Sequence, residues 1–242
     1  MGGSHEDAAE AVTSHFTVDG LKLMSDAFEG NSPQEVLRWA LGRFRGGVAL
    51  ACSFGAEDVA LVDMISKIDP SAKIFCLDTG TLFPETYELM ERVVDRYNVR
   101  LLRAVPAITM ADQARLYGDE LWKLRPDLCC QIRKVQPLVT MLGALDAWIT
   151  GIRREQAPTR ANSGVVEWDC KFGLVKVNPL ARWTDADVWK YIAENDVPYN
   201  LLHDRGYPSI GCRYCTRPVD PGEVPRAGRW PGSAKTECGL HL

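Results

Sequence analysis

Continuous apolar runs alternate with segments of helical hydrophobic spacing along most of the chain, and this alternation restricts the possible folds more than any other feature. The apolar runs cover residues 47–54, 73–79, 99–106, 147–154 and 173–180. A strand that is apolar throughout has both faces buried, which is typical of a parallel sheet between two layers of helices. The sequence therefore predicts an α/β fold in which a parallel sheet is flanked by helices.

The remaining segments of this region have the spacing and the capping residues of helices. We predict helices at about 31–44, 56–69, 83–98, 109–123, 128–142 and 183–196. In the first of them, Ser32 is a good N-cap, Pro33 suits the first helical position, and Glu35 completes a capping box. Ligands of a parallel sheet bind beyond the carboxyl ends of its strands. The loops "SFGAED", "LDTGTLFPE" and "TGIRREQAPTR" are therefore the places where we expect a binding site.

Composition argues against several classes of protein. The chain has 242 residues, of which 46% are hydrophobic, and its formal net charge is -4, so extensive nucleic-acid binding is not expected. No apolar run approaches the roughly 18 residues that a membrane span needs. The first residues, "MGGSHEDAAEAV", lack the basic-then-apolar pattern of a secretory signal. We expect a cytoplasmic protein without a membrane segment.

The character of the chain changes at Arg217. The segment "RPVDPGEVPRAGRWPGSAKTECGLHL" contains four prolines and several glycines, and little apolar mass before its end. Such a composition does not support a long helix or a packed core. We predict an α/β domain over residues 1–216 and a mobile C-terminal tail over residues 217–242.

Two pairs of cysteines are the most specific chemical feature of the sequence. Cys129 and Cys130 are adjacent in a helical segment, and Cys212 and Cys215 form a C-x-x-C pair. Cytoplasmic thiols stay reduced, so a disulfide framework is not expected. Four cysteines suit an iron–sulfur cluster or a tetrahedral zinc ion. Spacing alone leaves a cluster, a zinc site and a coincidence open.

The other cysteines divide into structural candidates and one candidate nucleophile. Cys52 and Cys76 lie in apolar runs and are predicted to be buried strand residues, and Cys170 has no partner motif. Cys238 lies five residues from the end of the predicted tail, where packing does not explain it. Nearby Lys235 and His241 could favour its thiolate, which indicates a nucleophile. The alternative is an ordinary surface thiol.

Cationic and turn residues indicate an anionic ligand. The turn "SFGAED" leads from a predicted strand into a predicted helix, where free amides and the helix dipole favour an anion. Lys134 stands four residues after Cys130, on roughly the same helical face. Arginines on loops above a parallel sheet suit phosphate or sulfate groups. Such cations are Arg153, Arg154 and Arg160 in one loop, and Arg226, Arg229 and Lys235 in the tail.

In combination, these motifs resemble the assimilatory adenylylsulfate reductases within the adenylylsulfate/phosphoadenylylsulfate reductase family. The resemblance runs from about residue 40 to the end and is carried by "SFGAED", "LDTGTLFPET", "CCQIRK", "TGIRREQAPTR", "GCRYC" and "ECGLH". It implies an adenine-nucleotide α-hydrolase-like fold. It also implies reduction of adenosine 5′-phosphosulfate to sulfite and AMP, in sulfate assimilation, with electrons from thioredoxin.

The resemblance also implies roles for individual residues. Cys129, Cys130, Cys212 and Cys215 match the ligands of one [4Fe-4S] cluster, and Cys238 matches the nucleophile that forms an S-sulfocysteine intermediate. Positions that match residues around the nucleotide are Ser53, Leu77, Gly151 and Arg160. Positions that match residues near the phosphosulfate are Lys134, Arg226, Arg229 and His241.

Rival interpretations remain at the level of sequence. The phosphoadenylylsulfate branch of the family keeps "ECGLH" but lacks the two cysteine pairs, so their presence favours the adenylylsulfate branch. An ATP-using enzyme of the tRNA-thiolation type would share the fold group, but "SFGAED" departs from the S-G-G-x-D-S turn of such enzymes. A non-enzymatic zinc or cluster protein is a third alternative, in which Cys238 has no function.

Overall fold

The computed structural model describes residues 16–241. The N-terminal segment whose composition argued against a secretory signal lies outside the described residues. Within residues 16–241, no helix is both long enough and apolar enough to cross a bilayer.

The elements are numbered in chain order. The strands are β1 Val48–Ala51, β2 Lys73–Leu77, β3 Leu101–Ala104, β4 Ala147–Ile149, β5 Val166–Asp169 and β6 Leu174–Val177. The α-helices are α1 Val18–Phe28, α2 Pro33–Arg43, α3 Ala56–Ile68, α4 Pro84–Tyr97, α5 Met110–Tyr117, α6 Leu121–Leu124, α7 Pro126–Cys130, α8 Gln136–Leu142 and α9 Asp185–Glu194. A π-helical turn, Gln131–Val135, joins α7 to α8.

The strands form one sheet in the order β3-β2-β1-β4-β6-β5. Neighbouring strands are parallel except β5, which runs antiparallel to β6. This arrangement confirms the predicted α/β fold and adds an edge strand that the sequence prediction omitted. Only Val166 of β5 is buried, so this strand lacks the continuous apolar run that revealed the others.

Both faces of the sheet are covered, as the apolar strands require. The larger core packs β-strand side chains against helices α1 to α4 and α9, with Leu37, Leu61, Leu89 and Val188 fully buried. On the other face, Leu138 and Leu142 of α8 pack over the strand residue Phe75. Burial of this apolar surface on both sides is the main free-energy gain that holds the sheet together.

Two predicted helices differ from the structure. The segment 109–123 is interrupted after α5, where Gly118 has φ 87° and Glu120 has φ 52°. Both values lie in the left-handed region, which a continuous helix does not contain. The segment 128–142 is helical, but its π-helical turn places Arg133 and Lys134 one residue out of ordinary α-helical phase. Such turns occur frequently at functional sites.

The strand order reverses between β1 and β4. In a doubly wound sheet, this switch point opens a crevice beyond the carboxyl ends of the two strands. The turn after β1 begins at Ser53, and the loop after β4 begins at Gly151. The topology therefore brings together two of the loops in which the sequence predicts a binding site.

The C-terminal segment lies against the α/β body from residue 217 to residue 241. Thr216 and Arg229 form an antiparallel bridge, and the Trp230 amide donates to the Cys215 carbonyl at 2.9 Å. Trp230 is only 4% exposed. The segment has no regular helix or strand, in agreement with its proline content, and its mobility stays a prediction.

Candidate active site

A cavity of about 410 Å³ lies beyond the carboxyl ends of β1, β2 and β4. Its wall contains every residue that the sequence analysis placed at the nucleotide, at the phosphosulfate or at the nucleophile. These residues are Ser53, Leu77, Lys134, Gly151, Arg160, Arg226, Arg229, Cys238 and His241. They come from five separate parts of the chain, so the fold brings scattered sequence motifs into one surface. Their individual roles stay predictions.

The turn after β1 is held by a buried carboxylate. The backbone amide and the hydroxyl of Ser53 both donate to Oδ2 of Asp58, at 2.5 and 2.6 Å. Burial raises the pKa of Asp58 to about 6, although the two bonds from Ser53 act in the opposite direction. Phe54, the next residue of the turn after Ser53, is buried and has φ 62°. This left-handed conformation is strained for an aromatic residue. The Ser53 amide is therefore engaged by Asp58, while the uncapped start of α3 at Gly55 can receive an anion.

Gly151 is required by a close approach between the two switch-point loops. A Cβ atom at this position would lie 2.2 Å from Oδ1 of Asp58 and 3.0 Å from Cβ of Glu57. No side chain tolerates the first distance, so only glycine lets the loop after β4 reach the turn after β1.

The end of the cavity nearest α3 is acidic, and its arginine is already paired. Arg153 is buried and contacts three carboxylates, at 2.9 Å for Glu57, 3.1 Å for Glu155 and 3.2 Å for Asp185. Arg154 pairs with Glu29. The two arginines that the sequence suggested as anion ligands beside Arg160 are thus structural in this conformation.

The wall of the same cavity also carries four cations, Lys134, Arg160, Arg226 and Arg229. Arg160 and Arg226 share the carboxylate of Glu237, and Nη1 of Arg229 donates to Oγ of Ser209 at 3.1 Å. Burial lowers the pKa of Lys134, but the nearby thiolates of Cys212 and Cys238 outweigh it and leave that pKa raised. Lys134 therefore carries its charge between the two sulfurs.

His241 is packed as a neutral ring. It stacks on Trp148 with ring centroids 5.4 Å apart and an interplanar angle of 15°. Burial and the surrounding cations, first Lys176 and then Arg160, lower the pKa of His241 well below its ordinary value. A neutral imidazole gives Cys238 no positive charge, so the expected electrostatic help from His241 is wrong.

A second, smaller cavity adjoins the first and is lined by all four cysteines of the two pairs. Lys134 and Trp230 belong to the walls of both cavities. Oγ1 of Thr79 lies 3.3 Å from Sγ of Cys212, and Nε2 of Gln113 donates to Sγ of Cys129 at 3.8 Å. Spacing alone left open whether the four cysteines serve one purpose. The structure places all four around one cavity.

The four thiols influence one another electrostatically. Burial and then the charges of Cys130 and Cys212 raise the pKa of Cys129 to about 11, and burial and Cys212 raise the pKa of Cys215 to about 12. For Cys212, burial acts in the same direction, but Lys134, hydrogen bonds from Thr79 and Thr81, and Arg229 together outweigh it, so the pKa of Cys212 is lowered. Crowded thiols of this kind need a bound cationic centre to be deprotonated together.

Among residues 16–241, no three His, Cys, Asp or Glu side chains are close enough to hold a single metal ion. A tetrahedral zinc ion would need its sulfurs gathered within about 2.3 Å of one point. Cysteine thiolates also hold polynuclear iron–sulfur centres, so the chemistry of the four-cysteine donor set suits either group.

Two further residues of the site escaped the sequence analysis. Glu237 lies within "ECGLH", but the sequence suggested roles only for its neighbours Cys238 and His241. His203 lines the large cavity, and its buried Nε2 has no hydrogen-bond partner in the described part of the chain. No local motif marks His203, because its position depends on the loop that follows α9.

Comparison with known proteins identifies relatives over most of the chain. The phosphoadenosine phosphosulfate reductase domain matches residues 47–218. An adenosine 5′-phosphosulfate reductase of Halalkalibacterium halodurans is 49% identical over 219 residues, which cover 90% of this chain and 95% of that protein. An adenosine 5′-phosphosulfate reductase of Shouchella clausii is 53% identical over 208 residues, which cover 86% of each chain.

Solved structures agree with the fold. A phosphoadenylyl-sulfate reductase of Candida auris, solved as a phosphate complex, matches with a TM-score of 0.75 and 35% identity, over 84% of this chain and 98% of that chain. An FMN adenylyltransferase of Candida glabrata matches with a TM-score of 0.56 and 15% identity, over 91% of this chain and 79% of that chain. The second likeness concerns the fold alone.

The contact at Gly151 gives a test of the nucleotide cavity. In Gly151→Ala, the added methyl group must displace Asp58 and break its bonds to Ser53. We expect the affinity for AMP, measured by isothermal titration calorimetry, to fall about tenfold or more, a cost of about 1.4 kcal/mol.

Gly42→Ala is the matched control, since nothing lies within 4 Å of a Cβ at that position of α2. It should leave AMP affinity unchanged and raise the free energy of unfolding by about 0.5–1 kcal/mol. Unchanged AMP binding by Gly151→Ala would show that the nucleotide lies elsewhere.

Proposed function

The chain belongs to the phosphoadenosine phosphosulfate reductase family, and on this premise we propose that it reduces adenosine 5′-phosphosulfate to sulfite and AMP with electrons from thioredoxin. The family resemblance seen in the motifs is confirmed, and the protein is an oxidoreductase that acts on a sulfur group. The proposal rests on one observation above others. A thiol, that of Cys238, shares a cavity with Lys134, Arg160, Arg226 and Arg229.

Cys238 supplies the nucleophile in the proposed reaction. Its thiolate attacks the sulfate sulfur, an S–S bond forms, and the S–O bond to phosphate breaks, so AMP leaves with the electron pair. The product is S-sulfocysteine. A thioredoxin thiolate then attacks the Cys238 sulfur and sulfite leaves. The second thioredoxin thiol resolves the mixed disulfide, which returns Cys238 as a thiolate and accounts for the two electrons.

The cations have a defined task in this scheme. Negative charge grows on the AMP phosphate as the S–O bond breaks, and fixed positive groups in a sheltered cavity stabilise that charge. Lys134 is suited to the attack itself, because its charge already lies beside Cys238. For the second step, the tail over residues 217–242 moves out of the cavity, since thioredoxin must reach a sulfur that is half-buried here.

One finding supports adenosine 5′-phosphosulfate over its 3′-phosphorylated form. Curated relatives at about half identity are named for the first compound. We place the reaction in cytoplasmic sulfate assimilation, which supplies reduced sulfur for cysteine.

We further propose that Cys129, Cys130, Cys212 and Cys215 hold one [4Fe-4S] cluster. Support comes from their common cavity and from crowded thiols that need a cationic centre. When bound, the cluster supplies fixed charge beside Lys134 and links α7 to the C-x-x-C turn. Electrons for sulfate come from the thiols, so the cysteine ligands act through structure and electrostatics.

The nucleophile is tested by mass spectrometry. Protein mixed with adenosine 5′-phosphosulfate and no reductant should gain about 80 Da, the formula mass of SO₃, on the peptide that contains Cys238. Reduced thioredoxin should remove the adduct and release sulfite. Cys238→Ser should show neither event, because a hydroxyl is a far weaker nucleophile than a thiolate.

Cys170→Ser is the control for this experiment, because Cys170 is exposed and lies outside the cavity. It should form the adduct at the wild-type rate. An adduct on Cys52, Cys76 or Cys170, or turnover by Cys238→Ser, would contradict the proposed mechanism.

The cluster is tested by metal analysis. The purified protein should contain about four iron and four acid-labile sulfides per chain, with the visible absorbance of an iron–sulfur centre. Cys212→Ser should lose iron and sulfide together, whereas Cys238→Ser should keep both, since Cys238 does not line the four-cysteine cavity. Stoichiometric zinc in fully active protein would overturn the assignment.

A further inference from the structure

The residue immediately before the proposed nucleophile is locked to two arginines of the cavity. The side chain of Glu237 is 2% exposed and accepts hydrogen bonds from both arginines. Oε1 receives Nε of Arg160 at 3.0 Å, and Oε2 receives Nη2 of Arg160 at 2.9 Å and Nη2 of Arg226 at 3.0 Å. Thr159 adds a longer contact of 3.4 Å from its hydroxyl.

The carboxylate is electrostatically necessary at this point. Burial lowers the pKa of Arg226, and the positive charge of Arg160 lowers it further, so the two guanidinium groups repel each other. Glu237 lies between them and offsets both charges. Removing one partner of a buried ionic group leaves uncompensated charge, which costs more free energy than the intact group gains.

Arg226 keeps donors for a bound anion while it holds Glu237. Its described hydrogen bonds both use Nη2, to Glu237 and to the Thr236 carbonyl, so its Nε and Nη1 are available to the phosphosulfate. Arg160 holds the carboxylate more fully, because its Nη1 also donates to Oε1 of Gln156 at 2.5 Å. Arg226 can thus orient both the substrate and the backbone that carries Cys238.

The other contacts of this part of the tail lie on either side of the reactive residue. Lys235 pairs with Asp127, and Nζ of Lys171 donates to the Gly239 carbonyl at 2.6 Å. These contacts attach the tail to the body, but none of them joins it to a residue that we expect to contact the substrate. Glu237 is the side chain that connects Cys238 to both anion-binding arginines, and the Thr236 carbonyl adds a backbone contact to Arg226.

We propose that Glu237 is a positioning residue, whose carboxylate binds Arg160 and Arg226 and thereby places the Cys238 thiol beside the bound phosphosulfate. The inference rests on the proposed function, since it assigns those arginines and Cys238 to one reaction. It adds a residue to which neither the motifs nor the relatives gave a role.

Glu237→Gln tests this role, because it keeps the shape of the side chain and removes its charge. In single turnover without reductant, the rate of the 80 Da adduct on Cys238 should fall about tenfold or more, equivalent to about 1.4 kcal/mol. The affinity for AMP should stay within about threefold of wild type or become tighter, because both arginines remain and lose a competing anion. This split between binding and rate separates positioning from general destabilisation.

A second measurement does not use the substrate. Alkylation of Cys238 by N-ethylmaleimide, followed by peptide mass, should become several-fold faster in Glu237→Gln, while exposed Cys170 in the same molecule reacts at its wild-type rate. Glu223→Gln is the matched control, since this tail glutamate pairs with Arg217 outside the cavity. It should leave adduct formation, AMP affinity and alkylation unchanged.

Wild-type rates of adduct formation and alkylation in Glu237→Gln would overturn the inference. A parallel loss of AMP affinity, thermal stability and adduct formation would overturn it as well, since it would indicate a purely structural role. If wild-type protein forms no adduct, the proposed reaction fails, and the alkylation rates still decide whether Glu237 seats the tail.

Discussion

Compensation of buried positive charge is the constraint on which this site depends. Lys134, Arg160, Arg226 and Arg229 line one cavity beyond the carboxyl edge of the sheet. Such a group folds only if anions are supplied nearby, because desolvated like charges repel strongly. The chain supplies two kinds of acidic group, the Glu237 carboxylate and the Cys212 thiol, whose pKa is lowered. Both kinds come from segments that carry the proposed chemistry.

This constraint explains why the two cavities adjoin. Lys134 belongs to both walls, and its charge lowers the pKa of Cys212 while the charges of Cys212 and Cys238 raise its own pKa. The π-helical turn after Cys130 places Lys134 at this shared wall. A change in charge at the four cysteines therefore changes the pKa of Lys134, the cation next to the proposed nucleophile. A link of this kind gives the cysteine pairs a chemical effect without passing electrons to sulfate.

Sequence patterns predicted the parts of the structure that depend on local signals. Apolar runs located the parallel strands, and the capping box at Ser32 is present as predicted. The edge strand β5 was missed because its burial comes from one side only. The π-helical turn was missed because an insertion of this type leaves no residue signature. The spacing of the two cysteine pairs left their purpose open, and the structure adds that all four residues line one cavity.

Properties that arise only from tertiary packing could not be predicted in this way. A histidine near a cysteine in sequence suggested a charged pair, but stacking on Trp148 and nearby cations make His241 neutral. The role proposed for Glu237 depends on its contact with Arg160, which is 77 residues away in the chain. No local pattern in the sequence indicates such a contact. Arginines of one loop were equivalent in sequence, yet the carboxylates around Arg153 distinguish it from Arg160.

Sulfite release with reduced thioredoxin, measured for adenosine 5′-phosphosulfate and for its 3′-phosphorylated form, tests the central claim most directly. The account predicts turnover with the first compound and a higher kcat/KM for it than for the second. A higher kcat/KM for the 3′-phosphorylated compound, or no sulfite from adenosine 5′-phosphosulfate, would contradict it.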